Sequence, residues 1–91
     1  MYGFAMKKSV YASQYRILRD LLVKAREKSG ATQHQIAKKL ARPQSYVSKY
    51  ESGERYLDVV EFIQVCEALG INPEKIIHNL QQLLRPKDIK K

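Results

Sequence analysis

The residues best suited to recognition chemistry fall in one short run: Gln44, Ser45, Ser48 and Lys49. A glutamine amide can donate to N7 and accept from the N6 amino group of adenine in one bidentate pair. Serine can donate or accept, and lysine can donate to O6 and N7 of guanine. Pro43 stands before the run and Gly53 after it, so its polar groups are bracketed by residues that start and stop helices. Tyr46 is a secondary candidate, either reaching a base or phosphate through its hydroxyl or covering apolar surface with its ring. Catalytic chemistry has far less to work with. Nucleophile, base and orienting group would have to come from His34, His78 and the single Cys66. No cysteine or carboxylate stands at metal-ligand spacing from either histidine. The expectation is a protein that is not an enzyme and uses no cofactor and no metal. Cys66 reads as a small hydrophobe in an apolar stripe, and one lone cysteine fits a reducing cytoplasm.

The elements that must position the polar run are legible around it. Thr32 and Gln35 have capping-box spacing, which predicts a helix from Gln33 with Ile36, Ala37 and Leu40 as a narrow apolar stripe. Lys38 and Lys39 then face outward. Pro43 ends that helix and suits the first position of the next, where Val47 and Tyr50 point inward and Gly53 closes the helix. Upstream, Ile17, Leu18, Leu21, Leu22 and Ala25 recur at three- and four-residue spacing, predicting an amphipathic helix from Ser13 to Ser29 or Gly30. Downstream, Asp58 and Glu61 form a second capping-box pattern. Val59, Phe62, Ile63, Cys66 and Leu69 are the expected inward stripe of a fourth helix. Asn72 and Pro73 open a fifth, carrying Ile76, Ile77, Leu80, Leu83 and Leu84 up to Pro86. That is more apolar surface than a peripheral helix needs for its own packing, and part of it suits a second copy of the chain.

The segments LVKAREKSGATQ, IAKKLA, QSYVSKYESGER and LDVVEFIQVCEALGINPEKI together resemble the Cro/C1-type helix-turn-helix family of phage and bacterial repressors, also called the xenobiotic-response-element family. The resemblance runs from about Arg16 to Leu84. It implies an all-α, five-helix, lambda-repressor-like DNA-binding domain. It also implies that Gln44, Ser45 and Lys49, with Ser48 secondary, read bases from a helix in the major groove. Gln33 falls where the first reader helix meets the DNA backbone, with Lys38, Tyr46 and Arg55 adding backbone contacts. Arg26 and Glu51 occupy positions that the family commonly joins as a structural ion pair. Three positions depart from the pattern: Ala41 where glycine is usual, Arg42 where an apolar residue is more frequent, and Leu57 where proline often stands.

Composition bounds the reading independently. Ninety-one residues predict one small domain with a modest core and no room for a separate ligand-sensing domain. Seventeen Lys and Arg against nine Asp and Glu give a formal net charge of +8, so a polyanion is the natural partner. An apolar run near the roughly twenty residues that span a bilayer is absent, as is a signal-peptide pattern, which points to a cytoplasmic protein without a membrane partner. The organisation expected is an arm over residues 1–12, mobile or ordered by a partner, a domain over 13–85 and a basic tail over 86–91.

Two function classes follow. One is a sequence-specific transcriptional regulator, a repressor that binds a two-fold operator on double-stranded DNA as a homodimer through its C-terminal helix. The other is an antitoxin-type protein, which binds a partner protein and autoregulates through DNA. Purely electrostatic binding fits less well, since charge alone would not call for a face of Gln and Ser.

Overall fold

The computed structural model describes residues 4–85, with side chains described from residue 12 onward. Five helices follow one another: α1 (Phe4–Ser29), α2 (Gln33–Leu40), α3 (Gln44–Ser52), α4 (Val59–Leu69) and α5 (Pro73–Leu84). The described residues contain no strand, and none of their helices is long and apolar enough to cross a membrane.

Local signals set most of the boundaries. At α2 the Thr32 hydroxyl accepts from the Gln35 amide at 3.1 Å while the Gln35 side chain accepts from the Thr32 amide at 2.9 Å. The reciprocal pair at α4 joins Asp58 and Glu61 at 2.7 and 3.0 Å. Each box satisfies two amides that a helix start would otherwise leave bare. Asn72 caps α5 through the Glu74 amide, with Pro73 next to it. Pro43 serves as the cap residue of α3, extended at φ −62° and ψ 154°, rather than as its first helical residue.

Two expectations are corrected. The first helix opens at Phe4, not Ser13, so the backbone expected as an arm is helical from Phe4 on. Neither glycine nor proline interrupts Phe4–Ser29, and once the packed turns have nucleated the helix, extension toward the N-terminus costs little. Residues 1–3 and the basic tail 86–91 lie outside the described residues. The second correction concerns α4, whose buried residues are Phe62, Val65, Cys66 and Leu69. Val59 is 72% exposed and Ile63 39%, so the inward stripe is rotated toward Val65. This helix is apolar on most sides, and periodicity alone does not choose among its faces.

The core gathers Leu22 from α1, Ile36 and Ala37 from α2, Tyr46, Val47 and Tyr50 from α3, four α4 residues and Ile76 from α5. Small Ala37 is where α2 meets its neighbours, and α2 touches both α3 and α4. Burial pushes the Cys66 thiol up to about 11, so it stays protonated and behaves as a hydrophobe. On α1, Tyr15 is a core residue that the apolar spacing did not include. It lies on the same face as Leu18 and Leu22 and is 7% exposed.

The α2–α3 turn keeps a left-handed residue without glycine. Ala41 has φ 57° and ψ 42°. The turn is closed by the Arg42 amide donating to the Ala37 carbonyl and the Ala41 amide to the Lys38 carbonyl, a Schellman arrangement. A side chain at Ala41 strains this conformation by about 1 kcal/mol. Ala41→Gly should therefore stabilise the domain by about 1 kcal/mol, raising Tm by roughly 4–8 °C in a thermal melt. An unchanged or lower Tm would mean that the alanine is not strained.

Candidate nucleic-acid interface

The outer surface of α3 is the polar row expected from the chain. Gln44, Ser45, Ser48 and Lys49 are all exposed, while Tyr46, Val47 and Tyr50 face the core. Among the described residues nothing buries the row, so its hydrogen-bonding groups share one open surface.

The start of α2 joins this surface through glutamine side chains. Gln33 Nε2 donates to Glu51 Oε1 at 2.8 Å, and Gln44 Nε2 donates to Gln33 Oε1 at 3.5 Å. Arg26 Nε donates to Glu51 Oε2 at 2.7 Å and its Nη2 to Oε1 at 3.0 Å, completing a bidentate fork. A third guanidinium nitrogen, Nη1, donates to the Ala31 carbonyl at 3.0 Å. The result is a continuous chain from α1 through Arg26, Glu51 and Gln33 to Gln44. The fork is largely shielded, with side-chain exposures of 14% for Arg26 and 7% for Glu51. The Glu51 carboxylate accordingly holds the Arg26 guanidinium above its ordinary value.

The C-terminal end of α3 is held just as tightly, by residues whose part was not anticipated. Arg19 Nη1 donates to the Glu51 carbonyl at 3.0 Å, satisfying one of the acceptors that a helix end leaves open. Its guanidinium lies against Gly53, where an added Cβ would sit 3.0 Å from Arg19 Cζ. Gly53 itself is at φ 90°, so the backbone favours glycine there, and a Cβ would press on the Arg19 guanidinium. In the loop beyond, the Leu57 amide donates to Tyr15 Oη at 2.8 Å, and the Tyr15 and Tyr56 rings meet at 4.4 Å. The signal for Arg19 was its position two helical turns before Arg26, on the same face of α1.

Of the expected backbone contacts, Lys38 is exposed on α2 and Gln33 sits at the edge of the reading face. Arg55 is placed differently. Its Nη2 donates to Glu61 Oε2 at 2.6 Å and its Nη1 to the Tyr56 carbonyl at 3.4 Å, so it ties the α3–α4 loop to the start of α4. Tyr46, expected as a backbone contact, turns its ring into the core. It is 7% exposed, and its ring packs edge-on against Tyr50 at 5.7 Å. The apolar alternative for Tyr46 is the one the packing adopts, because its register places it beside Val47 and Tyr50. His34 and His78 are exposed and far apart in the chain, and the described residues hold no cluster of three or more His, Cys, Asp or Glu suited to a metal.

Comparison with known proteins places this architecture. A helix-turn-helix family model matches residues 22–76. Among solved structures, the chain is similar to an XRE-family like protein from Pseudomonas syringae pv. tomato str. DC3000. The two are 40% identical with a TM-score of 0.81, over 88% of this chain and 98% of that one. It shares its fold with the clp gene regulator ClgR from C. glutamicum, at a TM-score of 0.71 and 20% identity, over 81% of this chain and 96% of that one. No curated protein matches the sequence.

The fork makes a direct stability prediction. Glu51→Ala strands a shielded guanidinium and should cost about 3 kcal/mol in urea unfolding, whereas Arg26→Met combined with Glu51→Met should recover part of that loss. A single-variant cost below about 1 kcal/mol would place the pair with ordinary surface ion pairs.

Proposed function

The chain belongs to the Cro/C1-type helix-turn-helix family, and from that premise we propose that it is a sequence-specific repressor of transcription that binds a two-fold operator as a homodimer. The observation that carries this reading is the exposed row Gln44, Ser45, Ser48 and Lys49, with Gln44 braced through Gln33 against the Arg26–Glu51 fork. An α-helix with its side chains is about 10–12 Å across, and the major groove of B-DNA is about 12 Å wide, so α3 can enter it with this row against the base edges.

The brace gives Gln44 a defined role. With one Nε2 hydrogen directed at Gln33, the other and Oε1 remain for the paired donor and acceptor of adenine. Ser45 and Lys49 lie a turn apart along the same side and read neighbouring positions. Gln33 and Lys38 take the flanking phosphates, aided by the amides at the start of α2.

Dimer formation fits the apolar surface that the bundle leaves open. Ile77, Leu83 and Leu84 of α5 are 50%, 53% and 37% exposed, and Val59 at the start of α4 adds to them. Between these helices runs a mostly apolar groove of about 170 Å³ lined by Leu18, Leu57, Asp58, Val59, Phe62, Ile77 and Leu80. An isologous contact across this face would give two recognition helices related by a two-fold axis. Occupying a promoter in that form would block transcription.

Selection from a random duplex library at near-physiological salt tests the reading. The expected product is a two-fold motif whose half-sites lie about one helical turn apart, roughly 34–36 Å. Binding that enriches no motif and vanishes as salt rises would overturn it, leaving an electrostatic contact or a protein that needs a partner. On the selected duplex, Gln44→Ala should lose about 1–3 kcal/mol and relax the preference at one base position, with affinity for random duplex nearly unchanged. Equal losses on both duplexes would remove Gln44 from base reading.

A further inference from the structure

Arg42, two residues before the recognition helix, has no part in the base-reading row or in the fork. Its guanidinium carbon lies over the Tyr46 ring, 4.5 Å from the centroid, and the guanidinium carbon of Arg55 lies 4.7 Å from the same centroid. One aromatic ring therefore gathers two cations. Among the described residues the only carboxylate bonded to either is Glu61, and both of its oxygens are engaged: Oε2 accepts from Arg55 at 2.6 Å and Oε1 from the Asp58 amide at 3.0 Å. Arg42 forms no ion pair among the described residues and is exposed, while Tyr46 beneath it is buried. Glu67 lines the same polar groove as Arg42, together with Lys39 and Gln64, without pairing with it.

The position of this cation on α3 matters as much as its charge. Gln44 and Glu51 are two helical turns apart and share the flank of α3 that faces Gln33. Ser45 and Lys49, one turn apart, share the opposite flank, and Tyr46 borders it. A helix lying in a major groove has a phosphate backbone along each flank, because the groove is scarcely wider than the helix. Gln33 stands on one flank of the reading face. Arg42 stands on the other.

We propose that Arg42, stacked on Tyr46, is a pre-positioned phosphate contact for the DNA strand on the Lys49 side of the recognition helix, a role that Arg55 gives up to Glu61. The proposal rests on the DNA-binding reading above and names a residue that helps register α3 in the groove. Stacking removes side-chain freedom before DNA arrives, so little ordering remains when the guanidinium meets a phosphodiester. The planar fork can then donate two N–H bonds to one phosphate, as a lysine ammonium on the same ring could not.

The test measures affinity of the full chain against salt concentration on two probes: the duplex recovered by selection and a random-sequence duplex of equal length. Arg42→Gln should weaken binding about tenfold per subunit on both probes and lower the slope of log K against log salt by about 0.9 per subunit, since a phosphate contact carries no sequence information. Arg42→Lys should retain the slope but recover only part of the affinity. Arg55→Gln should leave the slope unchanged. Thermal melting of each variant reports the fold separately, and Arg42 is exposed enough to be replaced without disturbing the core. Unchanged affinity and slope in Arg42→Gln overturn the proposal, as does a lower Tm with DNA binding intact, which would make the stack purely structural. A selection that recovers no motif defeats the operator reading instead, and the random duplex still decides the role of Arg42.

Discussion

The Glu51 carboxylate is the point on which the recognition surface depends. It accepts two N–H bonds from Arg26 of α1 and one from Gln33 of α2 while belonging to α3, so three helices meet at one side chain. Such a charge, 7% exposed, is favourable only when it is paired and hydrogen-bonded, and here three N–H donors meet it. The bidentate geometry also restricts orientation, because a planar guanidinium fits a carboxylate in few ways. The angle between α1 and α3 and the placement of Gln33 beside Gln44 are consequences of that restriction. Arg19 reinforces it by holding the main chain of the same residue.

The departures of this chain from its family are compensated locally rather than tolerated loosely. Ala41 takes the left-handed conformation that glycine would adopt at less cost, and the Schellman hydrogen bonds keep the turn in place. Leu57 retains an amide hydrogen that a proline would lack, and that hydrogen goes to Tyr15 Oη. The α3–α4 loop is thus tied to α1 by a bond that replaces the stiffness of a proline ring. Arg42 likewise finds the Tyr46 ring, where its alkyl stem and cation can lie over apolar surface with the charge still in water.

The cations of the molecule do not all have the same part in binding a polyanion. A formal net charge of +8 sets the sign of the partner, but some guanidinium groups are already spent inside the fold. Arg26 and Arg55 are paired to carboxylates and Arg19 to a helix carbonyl, which leaves Lys38, Lys49 and Arg42 as exposed charge close to the reading face. Net charge governs long-range attraction, whereas the unpaired cations decide where a phosphate rests.

Short-range rules made much of this readable from the chain alone. The capping boxes of Thr32 with Gln35 and Asp58 with Glu61, the cap at Asn72 and the stop at Gly53 act within a turn of backbone, so their sequence spacing was enough to place the starts of α2, α4 and α5 and the end of α3. The polar row of α3 was legible for the same reason, because a helix of known register separates Gln44, Ser45, Ser48 and Lys49 from Val47 and Tyr50. Other features depended on contacts between residues distant in the chain. The face that α4 buries, the capture of Arg55 by Glu61, the burial of Tyr46 and the clamps from Tyr15 and Arg19 came only with the packed bundle. An exposed and a paired arginine are the same letter in sequence, and a helix apolar on most sides has no preferred inward face until its neighbours dock. Local hydrogen bonding determined the elements and the row of reading groups; the tertiary structure decided which charges remain open to a ligand, because pairing and burial are properties of neighbours in space.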